Sequence, residues 1–102
     1  HVLPEKRFSI TMKPGRKFVE LGGAGCRDVE LLAILIGSGI AGRSAERIAA
    51  DLLERYGTLA GLMGRPLSEI AGIRGLGPVK AIRVAAAYEL TRRILRELEQ
   101  QT

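Results

Sequence analysis

Apolar residues recur at helical spacing along most of this chain. Asp28 begins a short, almost uniformly apolar segment that runs to about Ile36, and such a segment predicts a helix that is buried on all sides. Ser44 can cap a second helix, and Gly57 can end it. The apolar positions of that helix are spaced three and four residues apart: Ala45, Ile48, Ala49, Leu52, Leu53 and Tyr56. Because no segment alternates apolar and polar residues with a period of two, the predicted fold is all-α.

The second half of the chain continues the helical pattern. Brief helices are predicted over residues 58–63 and 67–73, and a longer one begins at Pro78, which suits a first helical position, and runs to about Glu99. One broad face of this last helix is apolar: Val79, Ile82, Ala86, Leu90, Ile94 and Leu98. Residues 1–25 instead mix charged residues with Pro14 and a glycine cluster, and they predict an irregular arm with one helical turn over residues 16–21. Residues 26–102 then form one compact domain.

The composition limits the chemistry. Of 102 residues, 16 are Lys or Arg and 11 are Asp or Glu, and the net charge of +5 favours a polyanionic partner. A single cysteine, Cys26, excludes a disulfide framework and a cysteine-based zinc site, and it is expected to pack as a small apolar residue. The only histidine is the terminal His1, so we expect no metal site built from side chains and no cofactor. The longest apolar run, residues 31–36, is too short to span a bilayer; we expect no membrane contact and a cytoplasmic location.

The glycines reveal an internal repeat. The second copy carries its apolar residues and glycines at Ile70, Ile73, Gly75, Leu76, Gly77, Ala81, Val84 and Ala85. The first copy matches it with Leu32, Leu35, Gly37, Ser38, Gly39, Ala45, Ile48 and Ala49. The register is identical up to the second glycine, after which the first copy has two extra residues. The repeat predicts two helix–turn–helix units that pack as a pseudo-symmetric pair in a bundle of about five helices.

The second copy has the chemistry of an anion site. Gly75 and Gly77 allow a sharp turn through positive φ, and Leu76 between them can anchor the turn in the core. The turn leads into a helix N-terminus, where unbonded backbone amides and the helix dipole both favour phosphate. Arg74, Lys80 and Arg83 are close enough in sequence to reach adjacent phosphates. Such contacts position a protein on a nucleic-acid backbone without reading bases.

The pattern over residues 70–85 resembles the helix-hairpin-helix motif. The resemblance implies sequence-independent binding to the DNA backbone through Arg74, Gly75, Leu76, Gly77, Lys80 and Arg83. It also implies a monovalent cation held by turn carbonyls near Gly75. The first copy departs from the motif because Ser38 replaces the apolar residue and the loop is longer. It offers a looser, secondary phosphate site over Gly37, Gly39, Gly42, Arg43 and Ser44.

Further motifs resemble the amino-terminal region of the RadC family. They are Lys13-Pro14-Gly15-Arg16-Lys17, Leu21-Gly22, Asp28-Val29-Glu30-Leu31-Leu32-Ala33, Gly42-Arg43-Ser44, Leu52-Leu53-Glu54-Arg55-Tyr56-Gly57 and the turn over residues 73–81. In that family the helical region precedes a JAB/MPN-type metalloprotease-like domain with a His-x-His metal motif, and the family carries a DNA-repair label. This chain has no such motif and corresponds to the amino-terminal region. The resemblance implies DNA and that metalloprotease-like domain as partners.

Enzymatic alternatives fit the sequence less well. Residues 37–42 formally match the dinucleotide-binding pattern of spaced glycines, but no strand follows Tyr56. A phosphate-binding loop of the nucleotide-hydrolase type would need Lys where Arg43 stands. Base-excision lyases that use the same hairpin place a nucleophilic Lys at the position of Val79, and Lys80 is one residue away. The expectation is therefore a module without catalysis.

Three other interpretations stay open. The module could dock the metalloprotease-like domain or another protein and regulate it, without binding DNA. The cations near the second turn could form an ordinary solvated helix face. The long last helix offers a surface for a homodimer.

Surface and core-edge roles are expected for several other residues. On the last helix, the arginines are expected to pair with glutamates at helical spacing: Arg92, Arg93 and Arg96 with Glu89, Glu97 and Glu99. Tyr56 and Tyr88 are expected to lie at the edge of the core.

Overall fold

The computed structural model describes residues 12–101, and in that part of the chain all regular structure is helical. Five α-helices follow one another: α1 Pro14–Leu21, α2 Asp28–Ile36, α3 Ala45–Tyr56, α4 Leu67–Ala71 and α5 Gly77–Gln100. Short 3-10 turns lie at Gly23–Gly25 and Ala60–Leu62. The predicted all-α fold of about five helices is confirmed.

The core lies where the two helix–turn–helix units meet. Helices α2 and α3 form the first unit, α4 and α5 form the second, and α2 also packs against α5. The buried apolar side chains are aliphatic and come from both units: Leu32, Ala33, Ile36, Ala45, Ile48, Ala49, Leu52, Leu62, Ile70, Ile73, Leu76, Ala81 and Val84. Neither unit could bury its apolar face alone, so pairing is what makes the small domain possible.

Helix α3 begins and ends as its sequence predicts. The Ser44 hydroxyl accepts a hydrogen bond of 3.1 Å from the Arg47 amide and caps the helix. Gly57 follows the last turn with φ +84°, and its amide donates to the Leu53 carbonyl at 2.7 Å. The brief helices of the second half are shorter than expected, because α4 covers only Leu67–Ala71 and residues 60–62 form a single 3-10 turn.

Helix α2 is not buried on all sides, which corrects the expectation from its apolar sequence. Ile34 is 37% exposed, and Leu31 and Leu35 are half-buried. The fully buried positions include a carboxylate, Glu30. In a domain this small there is too little protein to surround a helix completely, so one side of α2 faces solvent.

The segment before α2 is more ordered than an irregular arm. Helix α1 spans two turns instead of one, and it packs on α2. Lys17 is buried in that contact, and its ammonium donates to both carboxylate oxygens of Glu30 at 2.9 and 3.1 Å. Burial raises the pKa of Glu30, but hydrogen bonds from the Arg27 amide and from Lys17 outweigh it and hold that pKa below its ordinary value. The rest of the predicted arm, residues 1–11, lies outside the described residues.

Helix α5 turns a different face to the core from the one its pattern suggests. Ala81 and Val84 are buried and Tyr88 packs beside them, whereas the predicted apolar face is exposed along its whole length. The exposed large residues on that face are Val79, Ile82, Leu90, Ile94 and Leu98. The first half of α5 is apolar on two sides, and the core selects the side with the smaller residues, which allows the two units to approach closely.

Several side chains at the surface behave as expected. Arg92 and Arg93 both pair with Glu89, and their hydrogen bonds lower the pKa of Glu89 to about 2. Tyr56 and Tyr88 lie at the core edge, where their hydroxyls donate to the Glu69 carboxylate at 2.8 Å and to the Leu59 carbonyl at 2.7 Å. Of the helices described, none combines the length and apolar character needed to cross a membrane.

Candidate functional site

The second turn, residues 72–76, joins α4 to α5 with two glycines in the left-handed region. Gly75 has φ +91° and Gly77, the first residue of α5, has φ +68°. Leu76 between them is 3% exposed and belongs to the core cluster. The predicted sharp turn with an apolar anchor is therefore present.

Gly75 is required by packing as well as by its backbone angle. A Cβ at this position would lie 2.7 Å from Cδ1 of Ile48, which is fully buried, and 3.5 Å from Cδ of Arg43. Both neighbours belong to the first unit. A Cβ at Gly77 would meet open space. The second turn thus sits directly against the start of α3, and the two turns are adjacent.

The backbone amides of Gly75, Gly77 and Val79 have no hydrogen-bond partner within residues 12–101. Pro78 between them has no N–H to satisfy. Leu76 provides no side-chain cap, and Val79 is 66% exposed. Three unbonded donors therefore lie at or just before the N-terminus of a 24-residue helix, where the helix dipole also favours negative charge.

Two of the expected cations are used inside the protein. The Lys80 ammonium donates to the Ser38 carbonyl, and the Arg83 guanidinium donates to the Ile36 carbonyl at 3.2 Å. Ile36 ends α2 and Ser38 lies two residues beyond it, so both positive charges are close to the negative end of the helix dipole. Lys80 and Arg83 therefore connect the two units.

Arg74 is placed differently. Its side chain is exposed, and it borders a shallow surface cavity of about 460 Å³. Three other guanidinium groups border the same cavity, from Arg43, Arg47 and Arg55, together with the carboxylates of Asp51 and Glu54. Four cations against two anions leave this surface positive beside the second turn.

The first turn, residues 37–44, has the expected glycine register but closes on itself. Gly37 has φ +84°, which matches Gly75 in the repeat, while Gly39 has no positive φ. The amides of residues 37, 38, 40 and 43 all donate to carbonyls within the turn or at the end of α2. The two extra residues allow Ile40 and Arg43 to exchange hydrogen bonds of 2.9 and 3.0 Å around Gly42, which has φ +77°.

The remaining residues of the predicted secondary site also have internal roles. The Arg43 guanidinium pairs with Asp51 on α3, and the Ser44 hydroxyl caps that helix. A Cβ on Gly39 would lie 2.1 Å from the Arg43 carbonyl oxygen, so this glycine is needed for the close approach of the two loop strands. The structure brings these residues together as a loop closed by the hydrogen bonds between Ile40 and Arg43, and the Ser44 hydroxyl caps the helix that follows.

Each unit contacts the glycine turn of the other unit, and the sequence did not predict these contacts. Arg43 of the first unit lies against Gly75, while Lys80 and Arg83 of the second unit hold the residues around Gly37. Gly37 and Gly75 are equivalent positions of the repeat, so the glycine register was the available signal. In residues 12–101, no three His, Cys, Asp or Glu side chains converge where they could hold a metal ion.

The family models and the curated relatives that match this chain point to the same family. The family model described as UPF0758 N-terminal matches residues 6–82. The chain is 46% identical over 88 residues to a UPF0758 protein of Xanthomonas campestris pv. campestris, which covers 85% of this chain and 39% of that protein. It is 43% identical over 83 residues to a UPF0758 protein of Stenotrophomonas maltophilia, with 81% of this chain and 36% of that protein covered. The chain thus spans about two fifths of the length of these relatives. No solved structure matches it significantly.

Proposed function

Because this chain belongs to the UPF0758 family, the RadC-like family that its motifs resemble, we propose that it is a non-sequence-specific DNA-backbone-binding module. The phosphate group would be held by the backbone amides of Gly75, Gly77 and Val79 at the start of α5. Arg74 would contact an adjacent phosphate. The second glycine turn would then act as a helix-hairpin-helix element, and the first unit would support it.

One observation carries this proposal: the amides of Gly75, Gly77 and Val79 are unbonded within residues 12–101, and α5 has no side-chain cap. Unbonded amides at a helix N-terminus are a preferred site for phosphate, since the donors and the dipole act together. The exposed, positively charged surface around Arg74 also favours the binding of a polyanion at this turn. Contacts of this type go to the backbone, so we expect little discrimination between DNA sequences.

Lys80 and Arg83 have a different role in this proposal from the one that spacing alone suggests. They hold carbonyls of the first unit, at Ser38 and Ile36, and so fix the position of α5 relative to α2. The monovalent cation near Gly75 stays a prediction. We propose binding without catalysis, because the amine of Lys80 is held on a backbone carbonyl and Val79 stands at the lyase position.

A pair of substitutions at Val79 tests the site without disturbing the fold. Val79 is exposed and is the third residue of α5, a position where a glutamate stabilises a helix through its dipole and its free amides. Val79→Glu should therefore keep or raise stability while placing a carboxylate on the phosphate site. Val79→Gln is the matched neutral control.

The measurement is the affinity for short labelled duplexes of two unrelated sequences, followed by fluorescence anisotropy. Val79→Glu should weaken binding by at least about tenfold, and Val79→Gln should bind both duplexes much as the unchanged chain does. Equal binding by the two variants would remove the amides of the second turn from the interface. If the unchanged chain binds no duplex, the DNA-binding proposal fails and a protein-docking role becomes the better account.

A further inference from the structure

The shallow cavity beside the second turn lies between two parts of the fold. One wall carries residues of α3, and the other is formed by residues 72–74, which lead directly to Gly75. We call it the arginine cavity after the four arginines that border it: Arg43, Arg47, Arg55 and Arg74. Because the amide of Gly75 belongs to the proposed phosphate site, this cavity is the next positively charged surface that a bound strand meets.

Two arginines of the arginine cavity are occupied within the protein, and two are not. Arg43 and Arg47 share the carboxylate of Asp51. Arg55 only lies over an aromatic ring, 5.7 Å from its centre, and Arg74 makes no hydrogen bond or ion pair within residues 12–101. Most other arginines in that part of the chain hold a carboxylate or a backbone carbonyl. The cavity therefore combines two guanidinium groups that still have all their donors free.

The charge of the cavity and its free donors match a phosphate monoester. Four guanidinium groups and two carboxylates leave a net charge of +2. A terminal phosphate carries about −2 at pH 7, whereas an internal phosphate of a strand carries a single negative charge. A guanidinium can bind two oxygens at once, so Arg55 and Arg74 together can use more oxygens than the two that an internal phosphate leaves free. A terminal phosphate leaves three free.

We propose that the arginine cavity binds the terminal phosphate of a DNA strand, next to the phosphate that lies on the amides of the second turn. This inference rests on the proposed function and adds a class of substrate to it, phosphorylated strand ends. Arg55 and Arg74 would hold the phosphate group. Glu54 also borders the cavity and is exposed, so its carboxylate should limit the affinity by repulsion.

The test compares DNA hairpins that have one open end and a fluorescent label in the loop. The end carries a 5′-phosphate, a 3′-phosphate or hydroxyl groups alone, and anisotropy gives the affinity of the 102-residue chain for each. At least one phosphorylated end should bind at least about fivefold more tightly than the hydroxyl end. A hydroxyl-ended hairpin that is one base pair longer controls for added charge and should bind like the shorter one.

Substitutions at the cavity should change the ratio of these affinities. Arg55→Gln should bring the ratio close to one. Arg65→Gln is the matched control, since Arg65 lies over the same Tyr56 ring at 5.0 Å but does not border the cavity, and it should keep the ratio. Glu54→Gln should raise the ratio, a gain that misfolding cannot produce. Val79→Glu should instead weaken binding to all ends.

The outcomes separate this inference from the proposed function. Equal affinity for all three ends, or a ratio that Arg55→Gln and Arg65→Gln change alike, would overturn the terminal-phosphate site and leave backbone binding in place. A free deoxynucleoside monophosphate should not compete at a concentration equal to that of the hairpin, because it lacks the neighbouring phosphate. Competition at that concentration would assign the cavity to a mononucleotide and overturn the inference. Absence of binding to every hairpin would remove the proposed function itself.

Discussion

The two glycine turns share a register but differ in how the loop is closed and in how the following helix is capped. In the first turn, the two extra residues let the loop bond to itself, and Lys80 and Arg83 of the other unit hold its carbonyls. In the second turn, the amides of Gly75, Gly77 and Val79 are left without partners within the described part of the chain. The first turn thus leads into a helix that the Ser44 hydroxyl caps, whereas the second leads into a helix without a side-chain cap.

The two units also differ in the contacts that hold them in place. The first unit is also held by α1 through the buried pair of Lys17 and Glu30, whereas the second unit is held by the packing of α5 on α2 and by its turn against Ile48. The comparison therefore predicts that stability is most sensitive on the side of the first unit, and that phosphate binding is most sensitive on the side of the second.

The largest effect is expected at the buried pair. Lys17→Met leaves the Glu30 carboxylate buried without its cation and should cost about 3–5 kcal/mol of unfolding free energy. The control is Arg16→Met, since Arg16 pairs with Glu20 on the exposed side of the same helix, and it should cost less than about 1 kcal/mol. Urea denaturation measures both. Similar losses for the two variants would show that the buried pair does not hold α1 to the first unit.

Acid should weaken the same contact. Since the pKa of Glu30 in the folded chain lies below its ordinary value of 4.5, the folded state binds fewer protons there than the unfolded state does. The stability that Glu30 contributes is present above that ordinary value and is lost as the pH falls through the lowered pKa. Denaturation at a series of pH values should therefore show a decline below pH 4.5 that is smaller in Glu30→Gln. An identical decline in that variant would contradict the role of Glu30.

Alanine substitutions at the equivalent glycines Gly37 and Gly75 should lower the unfolding free energy by different amounts. Gly75→Ala combines a positive φ with a contact against the immobile Ile48, and we expect a loss of about 2–4 kcal/mol. Gly37→Ala carries the backbone strain, but its Cβ would meet only the end of the Arg83 side chain at 3.0 Å. That side chain can shift if its hydrogen bond to the Ile36 carbonyl lengthens, so the loss should be about 1–2 kcal/mol. Thermal or chemical unfolding separates the two, and equal losses would mean that Gly75 is not tightly packed.

The smallest change in stability is expected from the N-terminal caps of α3 and α5. Ser44→Ala removes the side-chain cap of α3 and should cost about 1 kcal/mol. Helix α5 has no side-chain cap to lose, so inorganic phosphate should stabilise the chain through its free amides instead. Phosphate should raise the melting temperature of the unchanged chain and of Ser44→Ala alike, and much less that of Val79→Glu. A rise of the same size in Val79→Glu would place the anion elsewhere.

Local signals in the sequence determine most of the fold. The glycine spacing gives both turns, and Ser44 and Gly57 mark the ends of α3, because caps and left-handed glycines act over a few residues. The pair of Lys17 and Glu30 could not be predicted in this way. The two residues are 13 positions apart, and each alone is typical of a solvated helix surface.

The burial of α5 and the contacts of its cations also depend on tertiary packing, and the local sequence does not determine them. The pattern of α5 offers two apolar sides, and only the position of α2 decides that Ala81 and Val84 face the core while Val79 and Ile82 do not. For the candidate site, the turn and its amides could be predicted from Gly75 and Gly77. The hydrogen bond of Lys80 to Ser38 could not, because it spans 42 positions between units whose relative placement the sequence does not encode locally.

The salt dependence of duplex binding tests the central claim most directly, with one arginine from each unit as the comparison. The logarithm of the affinity should fall linearly with the logarithm of the salt concentration, and equally so for unrelated duplex sequences. Arg74→Gln, beside the second turn, should reduce the slope by about 0.9, the value for one phosphate contact. Arg27→Gln, at the start of the first unit and 3.4 Å from Glu30, should leave the slope unchanged. A slope near zero for the unchanged chain, or equal changes in the two variants, would contradict the assignment of phosphate binding to the second turn.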